Sequence, residues 1–281
     1  MVRQTIGLAR VRDFAGLCRM LISGSGIDPR WRWRKCLEFA HAPLRPALVV
    51  NAPLQGISSM ATRAVLAELS APCALHTGHA LLVESVGGVD AARRVQSGEA
   101  FDLVFLASDA IDRLLASGHI VAGSKVALMR SSVAVAVRQG AAHPDISSEA
   151  ALRQAVLNAT SISLSTGPSG VALASLFKRW GIAQDIAPRM VQAPPGVAVG
   201  SLVARGEVAL GFQQRSELLH LSGIDILGPL PDAVQIITTF SAGVCSACSR
   251  PDDARAVLAF MASPMASEAK FRQGMEPVQT C

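Results

Sequence analysis

The chain contains no tyrosine, and aromatic residues make up only 4% of it. Its interior must therefore be filled by Ala, Val, Leu and Ile, a composition common in α/β sheets that are buried on both faces. Charge is also scarce, 17% against 50% hydrophobic residues, which excludes a disordered polyelectrolyte and describes a folded chain with a large core. No apolar run approaches the roughly 18–20 residues that a membrane-spanning helix requires. Six cysteines (Cys18, Cys36, Cys73, Cys245, Cys248 and Cys281) are spread over 281 positions, too dispersed for a disulfide scaffold. Motifs that would name a chemistry outright are missing too. GPSGVALAS carries Val where a P-loop needs Lys, no Ser or Cys lies in a nucleophile elbow, and SGSG at Ser23–Gly26 follows no strand pattern.

The net charge of +5 is modest, and the excess sits in the first 45 residues, which include WRWRK at Trp31–Lys35. Such a balance suits a small anionic ligand and is too weak to argue for nucleic acid. The most apolar part of the N-terminus, Phe14–Ile22, is cut by Arg19 and lacks a small-residue cleavage site. It therefore reads as no clear signal peptide, which keeps a cytoplasmic location open.

What the chain does have is one unit used three times: an apolar strand-like run, a small Ser/Gly loop, then an amphipathic helix. The stretches are Ala47–Leu69, Ala80–Val95 and Ser161–Trp180. Hydroxyls and free N–H groups gather at a helix N-terminus in each, where the macrodipole favours negative charge. Strands are predicted at Ala47–Val50, Leu81–Glu84 and Asp102–Leu106. Helices follow at about Ser59–Leu69, at Asp90–Gln96, and at Asp109–Ser117 behind an N-cap at Ser108. Strand Ser132–Val137 leads into a second α/β run: helix Ser148–Leu157, strand Ile162–Leu164, helices Val171–Trp180 and Val197–Ala204, strand Glu207–Phe212. A short helix Ser216–His220, an extended Ile236–Ser241 and helices Asp252–Ala262 and Met265–Gln273 close the chain. Strand–helix alternation of this kind predicts two α/β lobes, with a ligand cleft at the C-terminal ends of the strands.

Several segments resemble the type II periplasmic solute-binding proteins, in their molybdate-binding (ModA-like) branch. They are SGEAFDLVFLASDAIDRLLASGHIVAGS (Ser97–Ser124), MRSSVAVAVRQGAAHPDI (Met129–Ile146), SLSTGPSGVALASLFKRWGI (Ser163–Ile182), VARGEVALGFQQRSELL (Val203–Leu219) and AVLAFMASPMASEAKFRQGMEP (Ala256–Pro277). The resemblance implies a two-lobed α/β clamp with mainly parallel sheets flanked by helices and joined by two hinge crossovers. Residues 46–137 plus 241–281 would form lobe 1, 138–240 lobe 2, and 1–45 an extension outside the fold. It also implies a monomer in the periplasm that captures a small anion and hands it to an ABC-type membrane transporter, with no nucleic-acid partner.

Carried onto this chain, the resemblance places ligand contacts at Ser58 and Ser59, at Gly87 and Gly88, and at Ser165, Thr166, Gly167, Ser169 and Gly170. Arg130 and Gln213 are further candidates. Molybdate binders commonly donate a tyrosine hydroxyl, which this chain lacks. QQRSEL (Gln213–Leu218) resembles instead a sub-branch that includes isomerases of aconitate, a tricarboxylate. The expected ligand is thus an oxyanion such as molybdate or an organic polycarboxylate, with Arg130 or Arg215 able to clamp a carboxylate. The alternative function is isomerisation of an unsaturated polycarboxylate, for which Glu84, at the end of its strand, is the candidate catalytic base unless it pairs with Arg93 or Arg94. No cofactor and no metal are expected. Cys245-Ser-Ala-Cys248 has the spacing of a redox or zinc pair, but no second pair completes it, and in an extended segment residues three apart face opposite sides. The histidines are scattered and read as surface or packing residues.

Overall fold

The computed structural model describes residues 52–194 and 196–278; the expected extension over 1–45 and the expected strand Ala47–Val50 lie outside them. The first described strand is β1, Leu54–Ser59, formed by the LQGISS segment that the sequence reading assigned to a loop. It lies between β2 (Leu81–Val86) and β3 (Leu103–Ala107), parallel to both. The helices that follow these strands are α1 (Arg63–Thr77, after a 3-10 turn at Met60–Thr62), α2 (Gly88–Gln96) and α3 (Ser108–Ala116).

Every residue of β3, LVFLA, is buried, as a strand covered on both faces must be. Leu103 and Phe105 enter one core with Val65 and Leu69 of α1 and Val257 and Met261 of α9 (Pro251–Ala262). Val104 and Leu106 enter the opposite core with Val95, Ile111 and Leu114. Period-two alternation thus divides five consecutive apolar residues between two helix layers.

The centre of the molecule is β4, thirteen residues from Val126 to Arg138. Its first half pairs antiparallel with β8 (Ile237–Val244), which in turn pairs with β3. Its second half pairs antiparallel with β6 (Leu210–Gln214) and β7 (Ile224–Pro229), and β5 (Ile162–Leu164) joins β6 in parallel. The order is β2-β1-β3-β8-β4-β6-β5, with β7 and β9 (Glu276–Pro277) also on β4. Val133, Val135 and Val137 pack with Leu173, Phe177 and Phe212, while Ala134 and Ala136 face Leu218 on the other side. Sequence periodicity marked only Ser132–Val137, because Arg130-Ser131-Ser132 interrupts the apolar pattern where β4 passes from one sheet region to the next.

The second lobe carries α4 (Glu149–Asn158), α5 (Pro168–Arg179), α6 (Ala183–Ile186), α7 (Val199–Ala204) and α8 (Arg215–Leu218). Ser148 caps α4 as its spacing predicts, accepting from Ala151 N–H at 3.2 Å. Ser108 does not cap α3. It is the first helical residue, Ala107 holds the cap position, and the Ser108 hydroxyl instead accepts from Ser241 at 3.1 Å, tying α3 to β8. The last helix is α10 (Ser267–Arg272). Among the described residues no helix is long and apolar enough to cross a membrane.

Candidate functional site

β1 ends at Ser59, β3 at Ala107 and β6 at Gln214, and these three strand ends open on one cleft of about 520 Å³. That volume is typical of a small-molecule site. The first lobe contributes Ser59, Gly87 and Gly88, with Arg93 and Arg113 on its helices; the second contributes Ser165, Thr166, Gly167 and Ser169, with Gln213, Gln214 and Glu217 nearby; and Thr238 comes from β8. Eight of the expected ligand residues therefore share one cavity.

Alternation along β1 separates Ser58 from Ser59. Ser58 is buried on the other side of the strand, its hydroxyl 2.8 Å from that of Ser85, so it does not line the cleft. Ser59 is 8% exposed, and its buried hydroxyl has no hydrogen-bond partner among the described residues. A buried hydroxyl in that condition is free to bond a ligand atom or a water. Gly88 opens α2 beside it: a side chain there would meet Ser59 Cβ at 3.6 Å, and no side chain caps the helix. The N–H groups of that first turn are left for an anion.

The opposing wall is the β5–α5 loop. Gly167 holds the N-cap position without a side-chain cap, and Pro168 begins the helix, where its missing N–H costs nothing. The Ser165 and Ser169 hydroxyls lie 2.8 Å apart, so one donates to the other and one O–H stays free to turn outward. Gly170 does not line the cleft but makes this loop possible, since a Cβ there would fall 1.6 Å from the Ser165 carbonyl oxygen.

The floor is polar and mostly interlocked. Gly200 N–H donates to Gln213 Oε1 at 3.0 Å, which fixes the Gln213 amide so that its Nε2 donates to Glu217 Oε2 at 2.7 Å. Gln214 Nε2 donates to Thr238 Oγ1 at 2.7 Å, and Gln214 Oε1 is buried without a partner among the described residues. Because a hydroxyl both donates and accepts, the Thr238 contact survives if the amide turns over and offers its NH₂ to an anion. Burial pushes the Glu217 carboxyl up to about 7, against the lowering effect of the Gln213 bond.

Besides Ser58 and Gly170, two more expected residues lie outside the cleft. Arg130 is exposed on β4, 3.5 Å from Glu276 across the β4–β9 pairing, in a small surface hollow of about 130 Å³ with Arg215. Glu84 is exposed on β2, held by Arg94 at 2.5 and 2.9 Å, and that guanidinium keeps its carboxyl below the usual range. A carboxylate so paired is a poor base, and the cleft's acid is Glu217 instead. Sequence reasoning passed over Glu217, Gln214 and Thr238; Gln213 lies on a strand and Glu217 on the short helix after it, so no single periodicity marks the pair. Cys245-Ser-Ala-Cys248 is not extended but closes a turn, Cys248 N–H bonding the Cys245 carbonyl at 3.0 Å. Burial, the first cause for each, pushes the two thiols up to about 12 and about 11. Among the described residues no cluster of three or more His, Cys, Asp or Glu is placed to hold a metal.

Comparison with known proteins agrees with this fold. A model of the family described as bacterial extracellular solute-binding protein matches residues 54–276. An aconitate isomerase from Pseudomonas sp. is 42% identical over 188 residues, 66% of this chain and 71% of that protein. In three dimensions the chain resembles the periplasmic molybdate-binding protein of Azotobacter vinelandii, with a TM-score of 0.67, 20% identity, and coverage of 81% of this chain and all of that one. It also resembles the tungstate-binding protein of Desulfovibrio alaskensis, with a TM-score of 0.60, 17% identity, and coverage of 82% and 100%. At such identities these two likenesses speak for the fold, the two-lobed type II periplasmic-binding-protein architecture. The chain belongs to the bacterial extracellular solute-binding protein family.

Proposed function

We propose that the cleft closes on a small organic polycarboxylate, the unsaturated tricarboxylate aconitate, and that the protein interconverts its geometric isomers in the periplasm. The observation that carries this reading is a pair of facing walls built from neutral donors, with a single carboxyl between them among the described lining residues. Ser59 with the start of α2, and Ser165–Ser169 with the start of α5, would hold carboxylates by hydroxyl and N–H groups. Arg93 and Arg113 also line the first-lobe side, each paired with an aspartate of its own helix, Asp90 and Asp109. Closure is favoured only by a ligand that touches both walls. The 42% identity to an aconitate isomerase supports the substrate class.

Capture of an anion for an ABC-type importer is the second reading, favoured by the family match over 54–276. The two separate in one experiment. The purified protein is incubated with trans-aconitate and the cis isomer followed by proton NMR, beside a thermal-shift panel of aconitate, citrate, molybdate and tungstate. Interconversion, with stabilisation by the tricarboxylates, is the expected result. Stabilisation by molybdate or tungstate alone, with no interconversion, would overturn it.

A further inference from the structure

Moving the double bond of an unsaturated tricarboxylate requires one group that removes a proton from the methylene carbon and returns it to the far end of the allylic system. The C–H bond breaks, its electron pair spreads over the three-carbon frame and the flanking carboxylates, and the double bond shifts by one carbon as the new C–H bond forms. Proton and electrons balance without any co-reactant. Rotation about the partial double bonds of the intermediate lets the product close as the other geometric isomer. The protein has to supply a base inside the cleft, aimed at the ligand and able to hold a proton briefly.

We propose that Glu217 is that catalytic acid–base group, with Gln213 as the residue that positions it; this assignment rests on the isomerase reading above. Glu217 is the one carboxyl among the described residues lining the cleft, whose other charged side chains are Arg93 and Arg113, paired with Asp90 at 2.7 Å and Asp109 at 2.9 Å. Its Oε2 is occupied by Gln213 Nε2, whose own amide is pinned by Gly200 N–H. The pinned end orients the carboxyl, leaving Oε1 for the ligand. The arrangement matches a general logic in which a third group orients the base. Arg63, Arg130 and Arg215, on or beside the elements packed around α8, are exposed, and arginines stay charged across the working pH range; His220, just past the end of α8, is exposed and turned to Gln273, its Nε2 2.5 Å from that amide's Oε1. Glu217 is therefore the group whose titration the rate should follow.

Glu217→Gln keeps the shape and the acceptor for Gln213 but cannot take a proton. Its interconversion rate should fall by roughly 10²–10⁴-fold, and uptake of deuterium into the methylene position in D₂O should stop with it, while the aconitate-induced thermal shift persists. Glu217→Asp, with the carboxyl withdrawn by one methylene, should restore part of the rate, and circular dichroism of both variants checks the fold. The parent rate should rise with pH through about 7. If Glu217→Gln interconverts and exchanges at the parent rate, the assignment is overturned while the isomerase reading stands. If the parent itself binds aconitate without interconversion or exchange, both fall together.

Discussion

Lys270 is fully buried in α10, 0% exposed, and its Nζ has no hydrogen-bond partner among the described residues. Burial alone lowers its ammonium from about 10.5 to about 8. That drop corresponds to about 3 kcal/mol of preference for the neutral form. The sign follows from proton counting. Between about 8 and 10.5 the unfolded chain holds the proton more tightly than the folded one, so stability rises with pH through that window. Below about 8 the folded protein carries an unpaired buried charge and the full cost is present. Lys270→Met replaces the ammonium with an apolar chain of similar length. At pH 7 it should raise stability by up to about 3 kcal/mol, or roughly 6–12 °C in melting temperature for a domain of this size. The thiols of Cys245 and Cys248, pushed up to about 12 and about 11, act in the opposite direction at alkaline pH. The measured quantity is accordingly the difference between parent and variant in urea unfolding at pH 7, 8, 9 and 10. That difference should shrink as pH rises. A variant no more stable than the parent at pH 7, or a difference that is flat with pH, would refute the account of Lys270 as an unpaired buried cation.

Other perturbations test the cleft. Gly170→Ala places a methyl 1.6 Å from the Ser165 carbonyl oxygen, so the β5–α5 loop must move; aconitate affinity by calorimetry should fall at least tenfold. Glu84→Gln removes a carboxylate that pairs with Arg94 outside the cleft, and the interconversion rate should stay at the parent value; a large loss would return Glu84 to the candidate list. Gln213→Leu deletes the bond that lowers the Glu217 carboxyl. The rising limb of the pH–rate profile should move to higher pH, and an unchanged limb would show that Gln213 does not tune Glu217.

Much of the architecture was legible because it is written in local pattern. The apolar run of β3, the capped start of α4 and the loop before α5 each announce themselves within a few residues. The second and third small loops do lead into helices at Gly88 and Pro168, and residues of all three stretches line the cleft. Strand parity was not legible. LQGISS reads as a loop in the sequence but forms β1, and without an anchored strand nothing distinguishes Ser58 from Ser59. The pairing of Glu84 was half visible, since Arg94 was one of the named alternatives. Glu217 was hidden for another reason. Gln213 and Glu217 four apart look like any surface pair, and only the packing of α7 against β6, which brings Gly200 N–H to Gln213, turns that spacing into a held carboxyl.

The thirteen residues of β4 join halves of the molecule that are otherwise built around separate cores, and β8 crosses back beside them. Neither half can be cut out as a continuous piece of chain without severing a strand in the middle of its ladder. Melting either half strips hydrogen bonds from the strand that templates the other. The two halves should therefore unfold together, in a single transition with a calorimetric enthalpy matching the van't Hoff value. For evolution, such lacing makes the cleft easier to re-line than to dismantle.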